Sequence, residues 1–142
     1  MPNKEKNLIK EFQLSWAKNK YWVMSRSQQS YNHIRLMARG NSWSLKKQKE
    51  YENLLQMLEK IVPTDTTLAI TYQHIWGYFK KISNLEEKEK YKILIQNPLE
   101  NKIELESFLQ SLAKKYNQQY LLNMRWCLTS EENEKVISCK SE

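Results

Sequence analysis

Leu68-Ala69-Ile70-Thr71-Tyr72-Gln73-His74-Ile75-Trp76-Gly77-Tyr78-Phe79-Lys80-Lys81-Ile82 is the stretch that decides the fold class. Leu68, Tyr72, Ile75, Phe79 and Ile82 follow one another at spacings of four, three, four and three residues, which lines them up along one side of an α-helix. His74, Tyr78 and Lys81 then share one flank, with Gln73, Gly77 and Lys80 behind. A glycine inside a helix costs about 1 kcal/mol relative to alanine. Gly77 therefore implies a compensating benefit: either a second helix crosses there at close range or a ligand approaches.

The same periodicity extends in both directions. Upstream, Ile9, Phe12, Trp16 and Val23 predict a first helix over roughly Lys4 to Ser25. Ser27 is a candidate N-cap for a second helix with Tyr31, Ile34, Met37 and Ala38 inward, and Gly40 is suited to its left-handed end. Ser44 opens a third helix carrying Leu45, Tyr51, Leu54, Leu55, Leu58, Ile61 and Val62, closed by Pro63. Asp65 or Thr66 is expected to cap the fourth. Ser83 with Glu86 has the form of a capping box for a fifth helix ending before Pro98. A sixth, from about Leu99 to Tyr116, has Ile103, Leu105, Phe108, Leu109 and Leu112 inward, and a short last helix falls within Asn117 to Cys127.

With two Gly and three Pro in 142 residues, the chain lacks the turn-forming residues of a β-sandwich or barrel. The expectation is an all-α, compact single-domain bundle of six to seven helices over residues 1–128, followed by an acidic, disordered tail over 129–142. No run of about eighteen apolar residues marks a membrane span, and no signal peptide is read. Cys127 and Cys139 are the only cysteines, a usage that fits a reducing cytoplasm.

The formal net charge of +7 is concentrated at one end. Residues 1–49 hold eleven Lys and Arg against Glu5 and Glu11, for +9; residues 50–127 hold ten charges of each sign; the remainder is −2. Such asymmetry points to nucleic acid or another polyanion, or to a basic face that serves solubility. Trp16 to Tyr31 adds aromatic rings to that charge. Trp22 shares a face with Asn19 and Arg26, with Lys20 close by, so an exposed indole there is a stacking platform for a base. Burial of Trp22 would remove that platform.

Enzyme motifs are missing. The chain has no Gly-rich phosphate loop, no Cys-x-x-Cys, no His-x-x-x-His and no nucleophile elbow,. His33 and His74 are the only histidines, so no metal site and no cofactor is specified.

Trp16-Ala17-Lys18-Asn19-Lys20-Tyr21, followed by Met24-Ser25-Arg26-Ser27 and Tyr31, resembles the opening motif of the YbgA family, a bacterial domain of unknown function. Tyr72 to Lys81 resembles its second signature, with His, Gly-Tyr-Phe and Lys in register. Tyr120-Leu121 with Trp126 is more weakly similar to its closing motif. Asn19 and Arg26 stand where that family usually has histidine, and Met124 where it usually has glutamine. Asn and Arg can hydrogen-bond a phosphate or a base, which favours binding over catalysis. Some members are fused to an iron–sulfur desulfidase acting on thiolated uracil, including that in tRNA, and this chain lacks the desulfidase cysteines.

The resemblance and the charge together imply a non-catalytic RNA-binding module of the tRNA type, accessory to a separate desulfidase. Lys18, Lys20, Arg26, Arg35 and Arg39 are the expected phosphate contacts, Tyr21 or Trp22 the stacking ring, and Asn19, His74, Tyr78 and Lys81 the directed hydrogen-bonding groups. Two alternatives stay open: an enzyme or small-ligand protein with a pocket between helices one and four, using His74 and Tyr78 as acid and base, or a protein-interaction scaffold.

Overall fold

Seven α-helices and one 3-10 turn make up the computed structural model, which describes residues 2–127. The expected acidic tail lies outside the described residues. The helices are α1 (Pro2–Arg26), α2 (Gln28–Met37), α3 (Leu45–Leu58), α4 (Asp65–Trp76), α5 (Leu85–Leu94), α6 (Lys102–Lys115) and α7 (Gln119–Asn123), with the 3-10 turn at Arg39–Asn41. No strand occurs among the described residues, and the all-α class read from periodicity is correct.

Side-chain caps set most of the starts. Ser27 Oγ accepts from Ser30 N at 3.0 Å and Ser44 Oγ from Lys47 N at 3.2 Å, each relieving an orphan amide of a first turn. At α4 the cap is Thr64 rather than Asp65 or Thr66: Thr64 and Thr67 exchange side-chain and backbone bonds of 3.2 and 2.9 Å. Asp65 instead accepts from Leu99 N at 3.0 Å. At α5 the capping box is Asn84 with Glu87, one residue beyond the expected Ser83 and Glu86. Ser83 still belongs to the preceding turn, its N–H bonding to Phe79 O at 2.9 Å, and its buried hydroxyl has no hydrogen-bond partner among the described residues.

The deciding stretch is helical for less of its length than its spacing predicts. α4 stops at Trp76, and Tyr78 N and Phe79 N bond back only three residues, to Ile75 O and Trp76 O at 3.1 and 2.8 Å. Tightening to three residues per turn shifts the phase, so Phe79 stays sealed while Ile82 swings out to 50% exposure. Gly77 is the C-cap, not an interior residue. A Cβ there would meet only the preceding turn, at His74 O (3.1 Å) and Gln73 O (3.7 Å), so of the two benefits considered the close crossing of a second helix is not the one at work. Likewise α3 ends at Leu58, which leaves Ile61 and Val62 outside, and Ile103 in the first turn of α6 is exposed.

α1 is the wall between two apolar clusters. On one side Tyr21 and Met24 meet Leu68, Tyr72 and Ile75 of α4 and Leu105 and Leu109 of α6. On the other, Phe12, Trp22 and Val23 pack with Ile34, Met37, Trp43, Tyr51 and Leu58 from α2, α3 and the turn between them. Each such side chain contributes about 1.5–3 kcal/mol when fully buried. Since both sides of α1 are covered, Tyr21 through Arg26 are all buried.

After α6, Asn117 takes a left-handed φ of 55° and turns the chain back over α1. That strap is fastened by Arg125 N to Lys18 O at 2.7 Å and by Arg26 Nη1 to Cys127 O at 3.1 Å. Tyr120 travels with it.

Candidate functional site

The expected site residues divide by burial. Trp22 is fully enclosed and Arg26 is 4% exposed, so neither meets solvent, and both expectations of a surface contact are corrected. The cause is the strap. Arg125 lays its guanidinium 3.7 Å from the Trp22 ring centroid while Arg26 lies 4.5 Å from it, and Arg125 is held by Glu59 at 2.7 Å. Trp22 is thus bracketed by two cations, a cation–π arrangement, and offers no free face to a base.

Around Arg26 lies a buried polar network. Ser25 Oγ donates to Trp22 O at 2.6 Å, Arg26 Nη1 reaches Ser25 Oγ at 3.3 Å, and Tyr72 OH donates to Glu106, which is 1% exposed. Burial, and then the like charge of Arg125, lower the Arg26 pKa, opposed by the charges of Glu59 and Glu106. Burial likewise pushes the Tyr72 hydroxyl and the Cys127 thiol well up, so Cys127 is held as an unreactive thiol. Asn19 is also engaged internally, donating to Ser15 O at 2.9 Å and Ser15 Oγ at 3.3 Å. These bonds fix its amide against its own helix, and the side chain stays half-buried.

A second group does converge, and it is open. Lys20 Nζ lies 5.3 Å from the Tyr21 ring centroid and 5.6 Å from that of Tyr120. Tyr120 stacks with Tyr78 at 6.3 Å, and Tyr78 OH stands 3.4 Å from Tyr21 OH. Arg35 sits over Tyr31 at 5.7 Å. Burial and then the charge of Arg35 lower the Lys20 pKa, which places the two cations within electrostatic reach. Tyr21 itself is buried and contributes a hydroxyl and a supporting ring rather than a stacking face. Burial first, and then the Tyr78 hydroxyl, raise its pKa strongly. Tyr78 and Tyr120 are each 36% exposed.

Arg39 extends this surface, sharing with Asn32, Arg35 and Leu36 a shallow groove of about 320 Å³. A second groove of about 240 Å³ runs from Lys20 and Tyr120 to Trp16 and Trp43. Lys18 is exposed but stands two residues from Lys20, roughly 200° around the helix, so it faces the opposite flank. His74 and Lys81 are exposed and have no hydrogen-bond partner among the described residues. Neither of these two grooves carries His74 or Tyr78, and the Tyr78 hydroxyl turns toward that of Tyr21.

No cluster of three His, Cys, Asp or Glu side chains that could hold a metal occurs among the described residues. None of their helices is long and apolar enough to cross a membrane. What the open group can do is pair anions with Lys20 and Arg35 beside aromatic faces.

The family model described as "Protein of unknown function (DUF1722)" matches residues 20–127. The chain belongs to the DUF1722 family. YbgA-like proteins are part of that family, so the resemblance read from the motifs is correct. No curated protein and no solved structure matches the chain. In this DUF1722 chain the second and closing signature segments meet in space, through Tyr78 and Tyr120. Sequence reasoning missed Tyr31 and Tyr120 as site residues. The signal for Tyr31 was available: Arg35 follows it by four residues on one helix, the spacing at which helical side chains meet. Tyr120 had none, since its place depends on how the strap returns.

Proposed function

We propose that this protein binds structured RNA of the tRNA type without catalysing a reaction, through the surface of Lys20, Arg35, Arg39, Tyr78 and Tyr120. The observation that carries the reading is the placement of Lys20 beside the half-exposed Tyr120–Tyr78 stack, within electrostatic reach of Arg35. Cations fix phosphates in position while aromatic faces accept unstacked bases, the combination that RNA surfaces use. The +9 excess of residues 1–49 supports it from the sequence side. Lys18, His74 and Lys81 are peripheral contacts in this scheme, reached only by a ligand large enough to extend past the central group. A desulfidase acting on thiolated RNA in the bacterial cytoplasm is the partner that the family resemblance favours.

The test is titration of tRNA at two salt concentrations into wild type, Lys20→Ala and Arg35→Ala. Binding is expected to fall steeply with salt, and each variant to lower the slope of log K against log salt by about one. Association with no salt slope refutes the reading.

A further inference from the structure

We propose that the groove between α1, the 38–43 turn and Tyr120 receives one unpaired base of the RNA, a flat heteroaromatic ring whose phosphate is held by Lys20. This rests on the RNA reading above and narrows it to a subsite. The groove is half open, about 240 Å³, with walls that include Phe12, Trp16, Ala17, Trp43 and Tyr120, and with Lys20 among its lining side chains. That volume is below the roughly 300–1,000 Å³ of pockets for drug-sized ligands. It suits a single ring system, not a base pair.

Trp16 and Tyr120 are the rings open to a guest, while Phe12 and Trp43, 2% and 5% exposed, form a fixed backing behind them. Phe12 is stacked on Trp43 at 3.8 Å and lies parallel to Trp16 within 9°. Trp43 cannot rotate freely, because its Nε1 donates to Gln48 Oε1 at 2.8 Å. Trp16 is only half-buried, so it has ring surface left to cover. An aliphatic or uncharged aromatic guest would satisfy these rings and leave Lys20 unanswered. A base carrying a phosphate answers both, since base–aromatic stacking tolerates any base and the cation supplies the anion contact. A duplex presents its bases already stacked and cannot insert one without opening a pair.

The experiment compares two RNA strands of equal length and charge, one single-stranded with all its bases and one with abasic residues, titrated into the full chain by anisotropy. Tryptophan emission is followed in parallel. The base-bearing strand is expected to bind roughly tenfold more tightly and to quench tryptophan emission. The abasic strand is expected to keep the salt dependence without the quench. Ala17→Leu and Ala38→Leu, each of which enlarges a side chain lining the groove, should erase the difference between strands. Equal affinity and equal emission for the two strands, with salt dependence retained, overturns the subsite and leaves the RNA surface standing. Absence of salt-dependent binding to tRNA and to both strands overturns the two together.

Discussion

Replacing Arg26 by methionine keeps much of the stem's volume and removes the guanidinium, and the structure sets what should follow. Lost are a charge-assisted bond to Cys127 O, about 1.5–3 kcal/mol, and the stacking on Trp22, about 0.5–2 kcal/mol,. Returned is part of the desolvation of a cation that is 4% exposed. The Cys127 carbonyl is left without its charged donor, and the field of Arg26 on Glu106, which is 1% exposed and keeps the Tyr72 hydroxyl, is removed, so the losses outweigh the return,.

The expected loss is therefore about 3 kcal/mol, which for a domain of this size lowers Tm by roughly 6–12 °C. Urea unfolding followed by circular dichroism at neutral pH measures it. In the Arg26→Met/Glu106→Gln double variant the buried anion is gone too, so the combined loss should fall short of the sum of the single ones by at least about 1 kcal/mol. A single variant within 1 kcal/mol of wild type, or strictly additive losses, refutes the assignment of Arg26 as the pin of a buried ionic network.

Three further outcomes are expected. Tyr91 is buried and stacks on Trp76 at 4.4 Å, its hydroxyl has no partner among the described residues, and burial pushes its pKa up to about 12; Tyr91→Phe should be neutral or stabilising by up to about 1 kcal/mol in denaturant melts. Burial pushes the Glu87 carboxyl up, but bonds from Lys115, Tyr116 and the Asn84 N–H outweigh it and set the pKa at about 2 against an ordinary 4.5. A depressed carboxyl stabilises fully above its unfolded value, so stability should drain as pH falls from about 4.5 toward 2, and Glu87→Gln should flatten that window in acid titrations of Tm. Gly40 has φ +83° with open space around it; Gly40→Ala should cost about 1 kcal/mol from backbone strain alone, and an unchanged urea midpoint would contradict it.

Periodicity made the helices legible because each pattern of apolar residues reports one local geometry. It worked for Phe12, Tyr72, Ile75 and Phe108, whose partners are set by the helix face they occupy. It failed where a backbone bond, invisible in residue types, changes the phase, as at Ile82 beyond the tightened turn of Phe79. The candidate site was half legible. Lys20, Arg35 and Tyr78 were found because cation and aromatic spacing is local, while Trp22 was misjudged. Nothing in residues 16–31 announces that Arg125, a hundred positions later, closes over the indole. Such long-range coverage is a property of the strap's path. No local pattern encodes that path.

Asn19 and Arg26, the two positions where the resembled family usually carries histidine, bear on function differently once placed. Arg26 is buried and ties α1 to the strap at Cys127, while the half-buried Asn19 bonds within α1. Their identities tune the packing of α1 against its neighbours, and Arg26 drops out as a ligand contact. Yet Arg26 still reaches the site, because the segment it fastens carries Tyr120 to Lys20 and Tyr78. A change at position 26 should therefore weaken RNA binding by loosening Tyr120, without altering the number of phosphates neutralised. The salt slope separates the cases: Lys20→Ala lowers it, whereas Arg26→Met should lower affinity at an unchanged slope, measured at a temperature where both variants remain folded. A lowered slope for Arg26→Met would mean that its charge acts directly on the ligand, and the division between a buried pin and an exposed surface would fail.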